Sequence, residues 1–418
     1  MIFDALSRQK EIYLNGIAGI KPGIPTDFNT LENSAQKKMS AEAYAYVAGG
    51  AGLESTMINN RMAFDTYPIH PRMLNGKQSK NLKVDFLNHE YQSPIFTSPI
   101  GVLELVHPKA DLALAEACKE TGIPMMVSNQ ASYSMEAISK ILNGSPWFFQ
   151  LYVSKVDRLS MSFIKRAERA GARGIVITLD TTLLGWRNRD LNLAYLPFLK
   201  GKGIAQYTSD PEFKKIADDW TEEKSSVRIN IKTLSHLVDL SRNVPGSFVD
   251  NIKGRALKSV RAFTQIYSRP DLNWDIIENL KNSTSLPVIL KGIQHPKDAL
   301  KSIATGVDAI YVSNHGGRQV DGAMSSLDGL KNIRSCIPEN YPILFDSGIR
   351  CGADIMKSKC LGATMVGIGR PYVYALALKG AKGVSELIKN FISELELNMR
   401  LAGVSDANEL NTETLGLS

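Results

Sequence analysis

The sequence predicts an α/β protein built on a (β/α)8 TIM barrel, with an N-terminal helical segment ahead of the barrel and a long lid-like insertion after its fourth strand. Three observations predict it. Eight short apolar runs recur between about residues 94 and 369, separated by turns and stretches of helical period. Several runs follow a glycine pair (Gly122-Ile123, Gly171-Ala172, Gly306-Val307, Gly362-Ala363), as expected where glycine ends a helix that feeds a parallel strand. The runs also end in polar residues, the rim where such a barrel carries its chemistry.

Taken in order, residues 1–90 precede the first run and read as helical around Ala41–Val47, so they form an added N-terminal segment that contributes to the site. The barrel unit spans 91–418 and closes with a C-terminal helix. Its first four strands are Pro94–Ser98, Pro124–Ser128, Trp147–Tyr152 and Gly174–Asp180. Ahead of the fourth, Leu159, Phe163, Ala167 and Ala170 share one helical face, with Lys165, Arg166, Glu168 and Arg169 expected in solvent. Residues 188–270 then break the rhythm with Pro197, Gly201, Gly203, Pro211, Pro245 and the polar run SDPEFKKIADDWTEEKSS. A connection of that length in a compact unit is a functional lid or a disordered segment; a lid with short helices, one around Lys232–Leu240, is the expectation. The remaining strands are Pro287–Lys291, Ala309–Ser313, Pro342–Asp346 and Met365–Gly369.

Composition narrows the class. Hydrophobic residues at 44% and charged residues at 22% fit a globular chain with a sizeable core and exclude collagen-like or disordered architectures. The net charge of +7 is spread without like-charge blocks, weak support for an anionic ligand and poor support for nucleic acid. Cys118, Cys336, Cys351 and Cys360 contain no CxxC pair, which argues against a disulfide framework or a metal cage and makes a reducing compartment the default. The first residues carry no apolar signal core and no uncharged apolar run reaches membrane-spanning length, so a soluble cytoplasmic protein away from the membrane is expected.

The strand ends supply candidate chemistry. The sixth ends Ser313-Asn314-His315-Gly316-Gly317-Arg318-Gln319, a titratable base beside a fixed cation, with glycines that admit a ligand to the backbone. Asp346-Ser347-Gly348-Ile349-Arg350 after the seventh, and Gly367-Ile368-Gly369-Arg370 after the eighth, match the place where barrels bind phosphate. GIG alone is no dinucleotide fingerprint, because the further glycine and ribose-binding acid are missing. Asp180 after the fourth strand could fix an imidazole tautomer, and Arg187 beyond it could clamp a carboxylate. Lys291, inside the apolar VILKG run, would be costly to bury without an anionic partner. Gln150 offers an amide to a heterocycle edge and Tyr152 a phenol to a hydroxyl. His107 and His295 read as loop histidines without a task.

The SNHGGRQ stretch resembles the signature of the FMN-dependent L-α-hydroxy acid oxidising enzymes, the glycolate oxidase and lactate oxidase type, and the likeness runs from about Tyr44 to Ala402. The resemblance implies FMN as cofactor. It implies that Pro99, Ile100 and Gly101, Ser128 or Asn129, Gln150 and Thr178 line the flavin, and that Lys291 and Ser313 contact its ring, the lysine favouring negative charge near N1. Asp346, Gly348, Arg350, Gly369 and Arg370 would hold ribityl and phosphate. Tyr46, Arg187 and Arg318 would bind the substrate carboxylate, Tyr152 its hydroxyl, and His315, paired with Asp180, would be the base. Two electrons then leave for the flavin and a proton for His315; whether the electrons travel as hydride or through a carbanion stays open.

Within that family, SPIGVLELVHP, SNQASYSMEAI and TLDTTLLGWRNRDLNLAYLPFLKGKGIAQYTSDP resemble the lactate 2-monooxygenase branch. That implies L-lactate and O2 going to acetate, CO2 and water. Gly101 stands where many oxidases have alanine, which would enlarge the pocket and retain pyruvate, or it simply serves a tight turn. The alternatives are an oxidase releasing a 2-oxo acid and H2O2, or a quinone-linked dehydrogenase, for whose membrane-associated form the fourth-strand loop is too charged. A barrel isomerase would not need two arginines, and a barrel that had lost its chemistry would not keep His315, Arg318, Asp180 and Arg187 together. The resemblance also implies a homotetramer or homo-octamer.

Overall fold

The computed structural model describes residues 4–76, 81–221, 231–245 and 247–417; part of the polar run in the insertion, 222–230, lies outside them. Four helices come first: α1 (Ala5–Ile17), α2 (Phe28–Lys38), α3 (Ala41–Ala48) and α4 (Ser55–Asp65). Asp4, Asp27 and Ser40 cap the first three, each side chain accepting a backbone N–H in the opening turn. The cap of α4 comes from far away: Asp321 accepts from the N–H groups of Leu53 at 2.6 Å and Ser55 at 2.7 Å.

A hairpin unforeseen in the sequence follows, β1 (Val84–Phe86) paired antiparallel with β2 (His89–Tyr91). Val84, Phe86 and Tyr91 pack onto Phe96, Phe148, Val176, Ile289 and Leu344, so the hairpin plugs one end of the barrel. The barrel strands are β3 (Ile95–Thr97), β4 (Met125–Val127), β5 (Trp147–Leu151), β6 (Ile175–Thr178), β7 (Val288–Ile293), β8 (Ala309–Val312), β9 (Ile343–Phe345) and β10 (Met365–Ile368). They pair in parallel in sequence order, and β10 closes on β3. All eight apolar runs are strands.

After β3 to β5 come α5 (Ala110–Thr121), α6 (Met135–Leu142) and α7 (Asp157–Arg169). On α7, Leu159, Phe163 and Ala167 are fully buried, as their period predicts. Arg166 departs from expectation. Its guanidinium is buried, gripping Glu136 of α6 through two bonds of 2.8 and 2.9 Å and Asp210 at 3.0 Å. Burial is tolerated because both anions and the Gln206 carbonyl satisfy the fork.

Asp210 belongs to the insertion, which has α8 (Asn188–Asn192), α9 (Ala205–Thr208), α10 (Pro211–Asp218), α11 (Ile231–Asn243), α12 (Phe248–Asp250) and α13 (Ala256–Ile266). Tyr207 sits at its centre, with edge-on rings of Phe163, Phe213 and Phe263 at 5.0, 5.4 and 4.8 Å. Between α9 and α13 the insertion therefore has a core of its own, riveted to α7. Helices α14 (Trp274–Asn282), α15 (Pro296–Ala304), α16 (Ser326–Arg334) and α17 (Gly352–Cys360) complete the outer ring, and α18 (Arg370–Leu401) runs on from β10, broken at Gly380. No helix among the described residues is long and apolar enough to cross a membrane.

Candidate active site

At the C-terminal ends of the strands lies a cavity of about 1010 Å3, counting its open mouth. The structure brings together there Tyr46, Pro99, Ile100, Gly101, Tyr152, Arg187, Lys291, His315, Arg318, Asp346, Gly348, Arg350, Gly369 and Arg370. Six strand-end loops, the loop before α18 and helix α3 converge on one space. Sequence reasoning missed Ser98, Gln130, Thr181 and Ser347, and also Phe198 and Tyr267, which the insertion contributes.

His315 Nδ1 lies 2.9 Å from Asp180 Oδ1. A carboxylate only accepts, so Nδ1 carries the hydrogen and Nε2 keeps its lone pair on the cavity side. Thr181 Oγ1 donates to the same Asp180 oxygen at 3.0 Å. Burial, with Lys291 and Arg187 nearby, holds His315 below its usual value despite the upward pull of Asp180. Burial would raise Asp180, but His315 and the standing charge of Lys291 hold it down at about 2. Near neutrality the pair is a neutral imidazole on an ionised carboxylate, the state a base requires.

Lys291 does have its anionic partner. Nζ donates to Ser313 Oγ at 2.9 Å and stands 3.8 Å from Asp346 Oδ2. Asp346 also accepts from Ser313 at 2.5 Å and from the buried phenol of Tyr311 at 2.6 Å. Tyr311 was legible in principle: it lies on β8 two residues before Ser313, which follows directly on the strand, so both face inward.

The cations are strikingly unbalanced in number: Arg187, Lys291, Arg318, Arg350 and Arg370 line the cavity against the single carboxylate of Asp346. Burial and mutual repulsion push Arg318 down to about 9 and Arg350 to about 10. That donor set calls for anions. Arg318 stacks on the Tyr46 ring at 5.1 Å and donates to the Gly49 carbonyl at 2.7 Å. Arg187 is held by the Arg318 carbonyl and by Gln319 Oε1 at 2.9 Å.

Several residues expected at the flavin are engaged with protein partners. Gln150, expected to face the flavin, accepts from Ser128 at 3.2 Å and donates one amide hydrogen to Thr178 at 3.0 Å. Asn129 accepts from the Tyr152 N–H and the Tyr207 hydroxyl, leaving a buried Nδ2 without a partner. The polar ends of β4, β5 and β6 thus bond one another, with Asn129 Nδ2 left over. Arg370 is committed to the carbonyls of Val47, Gly316 and Gly49, so it ties α3 to the His315 loop. For Gly101, a methyl group would meet Gln130 Cβ at 2.8 Å and its carbonyl at 2.9 Å. Its absence secures the close approach of two loops; that corrects the idea of a methyl-sized gain in pocket volume.

The FMN-dependent dehydrogenase family model matches residues 35–417 of this chain. The chain belongs to that family. An L-lactate oxidase of Lysinibacillus sphaericus is 35% identical over 405 residues, 97% of this chain and 96% of the relative. An FMN-dependent alpha-hydroxy acid dehydrogenase of Penicillium citrinum is likewise 35% identical, covering 98% and 95%. Among solved structures, mandelate oxidase with (S)-4-hydroxymandelic acid superposes with a TM-score of 0.76 at 30% identity, over 93% of this chain and 98% of that one. Membership makes FMN the cofactor and oxidation of an α-hydroxy acid the reaction. The donor set fits both: cations in surplus for a phosphate and a carboxylate, and a neutral base in the same cavity.

Proposed function

We propose that this enzyme oxidises L-lactate or a 2-hydroxy acid of similar size. The observation that carries the reading is the neutral His315–Asp180 pair in one cavity with Arg187 and Arg318, neither of which has a carboxylate within ion-pair distance among the described residues, Asp190 acting on both only from farther away. Those arginines would neutralise the substrate carboxylate, Arg318 held flat against Tyr46. Burial and Asp180 raise the Tyr152 phenol, so it stays protonated and donates to the substrate hydroxyl. His315 Nε2 takes one proton from the hydroxy acid, and Asp180 stabilises the imidazolium that forms. Bound in this cavity, FMN would supply the acceptor for the two electrons from C2 and the route from there to dioxygen. Lys291, Asp346, Gly348, Arg350, Gly369 and Arg370, with Pro99, Ile100 and Gly101, would hold it. Ser128, Asn129, Gln150, Thr178 and Ser313 would support that wall from behind.

For the fate of the 2-oxo acid, we propose retention and oxidative decarboxylation: L-lactate and O2 give acetate, CO2 and water. The insertion supports this, because Phe198 and Tyr267 wall the cavity from a segment with its own docked core, which would slow product escape. A second reading, release of pyruvate with H2O2, is favoured by relatives named L-lactate oxidase. Product analysis from aerobic L-lactate turnover with catalase present decides, since free peroxide would itself decarboxylate pyruvate. Acetate is expected; accumulating pyruvate would overturn the retention step and leave hydroxy acid oxidation standing. Exposed Leu53, Leu183, Trp186 and Val320 on linked loops at the mouth support a homotetramer or homo-octamer as the working assembly.

A further inference from the structure

His315 has a left-handed backbone, φ 57°, which a residue with a Cβ adopts only when its surroundings enforce it. The enforcement comes from a helix more than 250 residues away in the chain. Asn60 on α4 and Asn314, the residue before the base, exchange amide hydrogen bonds in both directions, 2.9 Å and 2.7 Å. Both are buried. Asn314 Oδ1 also accepts the Gly317 N–H at 3.2 Å, which closes the loop around His315, while Asn60 Oδ1 accepts the Ser326 N–H at 2.9 Å. The same helix is stitched to the far side of that loop: Thr56 Oγ1 donates to the Val320 carbonyl and accepts from the Ala323 N–H, each 2.8 Å. Gly317 fits beneath it only because a Cβ would strike the Met57 backbone at 2.6 Å.

We infer that Asn60 is a positioning residue for the reaction, holding the His315 imidazole in its reactive place through Asn314. The inference rests on the reading of His315 as the base. Asn60 touches no cavity-lining polar group of the substrate clamp; Arg318 has its own supports in Gly49 and the Tyr46 ring. Removing the Asn60 amide takes the shorter partner from each amide end of Asn314, leaving only the Gly317 N–H on Oδ1 and a 3.3 Å bond from Nδ2 to the Met324 carbonyl, and it frees the Ser326 N–H, so the loop relaxes away from its enforced conformation.

The test is anaerobic flavin reduction by L-lactate in FMN-loaded enzyme. Asn60→Ala should lower the limiting reduction rate by about 30–100-fold, the scale of a misplacement near 1 Å, while the lactate dissociation constant moves less than about 3-fold. Thr56→Val, which loosens the same helix away from Asn314, should lower the melting temperature yet leave the reduction rate within about 3-fold. In a His315→Gln background, Asn60→Ala should cause no further slowing. A wild-type reduction rate in Asn60→Ala, or an equal slowing with and without His315, overturns the inference. Full-rate reduction by His315→Gln alone would instead overturn the base assignment and the inference with it. If the alanine variant does not fold, Asn60→Ser, whose hydroxyl is too short to reach Asn314, carries the same expectations.

Discussion

Replacing Asp180 by asparagine removes one charge and keeps the shape of the side chain. The bond at stake is the 2.9 Å contact between His315 Nδ1 and Asp180 Oδ1, with both side chains largely out of water. A hydrogen bond to a charged group contributes about 1.5–3 kcal/mol, and it strengthens as His315 becomes positive, so most of it belongs to the transition state. At 1.36 kcal/mol per decade this predicts flavin reduction slower by about 10–150-fold. The pH dependence follows from the same contact. His315 must be neutral to act, and burial holds its value below 6.5, so the wild-type rate rises with pH to a plateau, with its inflection below the ordinary imidazole value. Asp180 is the group that pulls His315 upward, so its loss moves the inflection lower while the plateau drops. Stopped-flow bleaching of the FMN spectrum by L-lactate under nitrogen, from about pH 5 to 8, measures both. An unchanged plateau, or an inflection displaced upward, would refute the pairing.

Other perturbations give separate readouts. Arg187→Met should raise the lactate dissociation constant by at least about tenfold, as loss of a charge-assisted bond implies, and titration of anaerobic reduction with lactate checks it. Arg166→Leu strands Asp210, which is fully buried, and should cost about 3–5 kcal/mol in urea unfolding. Burial pushes the Asp111 carboxyl up to about 7, so the folded chain holds a proton that the unfolded chain releases near 3.8. The stability this contributes is present at low pH and lost as pH rises through about 7; Asp111→Asn should therefore match wild type near pH 4 and exceed it by about 2–4 kcal/mol at pH 8. Gly101→Ala should destabilise by about 1–3 kcal/mol through overpacking against Gln130, with the acetate-to-pyruvate ratio unchanged; a ratio shifted towards pyruvate in a stable variant would restore the cavity-volume argument.

The barrel was readable because each strand is a short apolar run between a helix-ending glycine and a polar rim, a pattern fixed by local chemistry. Gly122, Gly171, Gly306 and Gly362 all take the positive φ that their place before a strand requires. The β1–β2 hairpin was not readable: three-residue strands with one or two inward side chains carry too little period to register. Arg166 misled because its helical position suggests solvent, and the partners that bury it lie 30 and 44 residues away. The cluster at the rim was readable from residue types, since arginine, lysine and histidine at strand ends have few other reasons to be there. Gln150 and Thr178 show the limit of that logic. Sequence gives the donors and acceptors of a strand end, while only the fold shows which of them bond each other.

The most direct test of the central claim is anaerobic mixing of FMN-loaded enzyme, wild type and His315→Gln, with L-lactate. The account predicts rapid bleaching of the wild-type flavin and bleaching slowed by about 100-fold or more in the variant, in line with a missing general base, while both retain FMN. Equal bleaching in the two would contradict the role given to His315, and a wild-type flavin untouched by L-lactate would contradict the substrate.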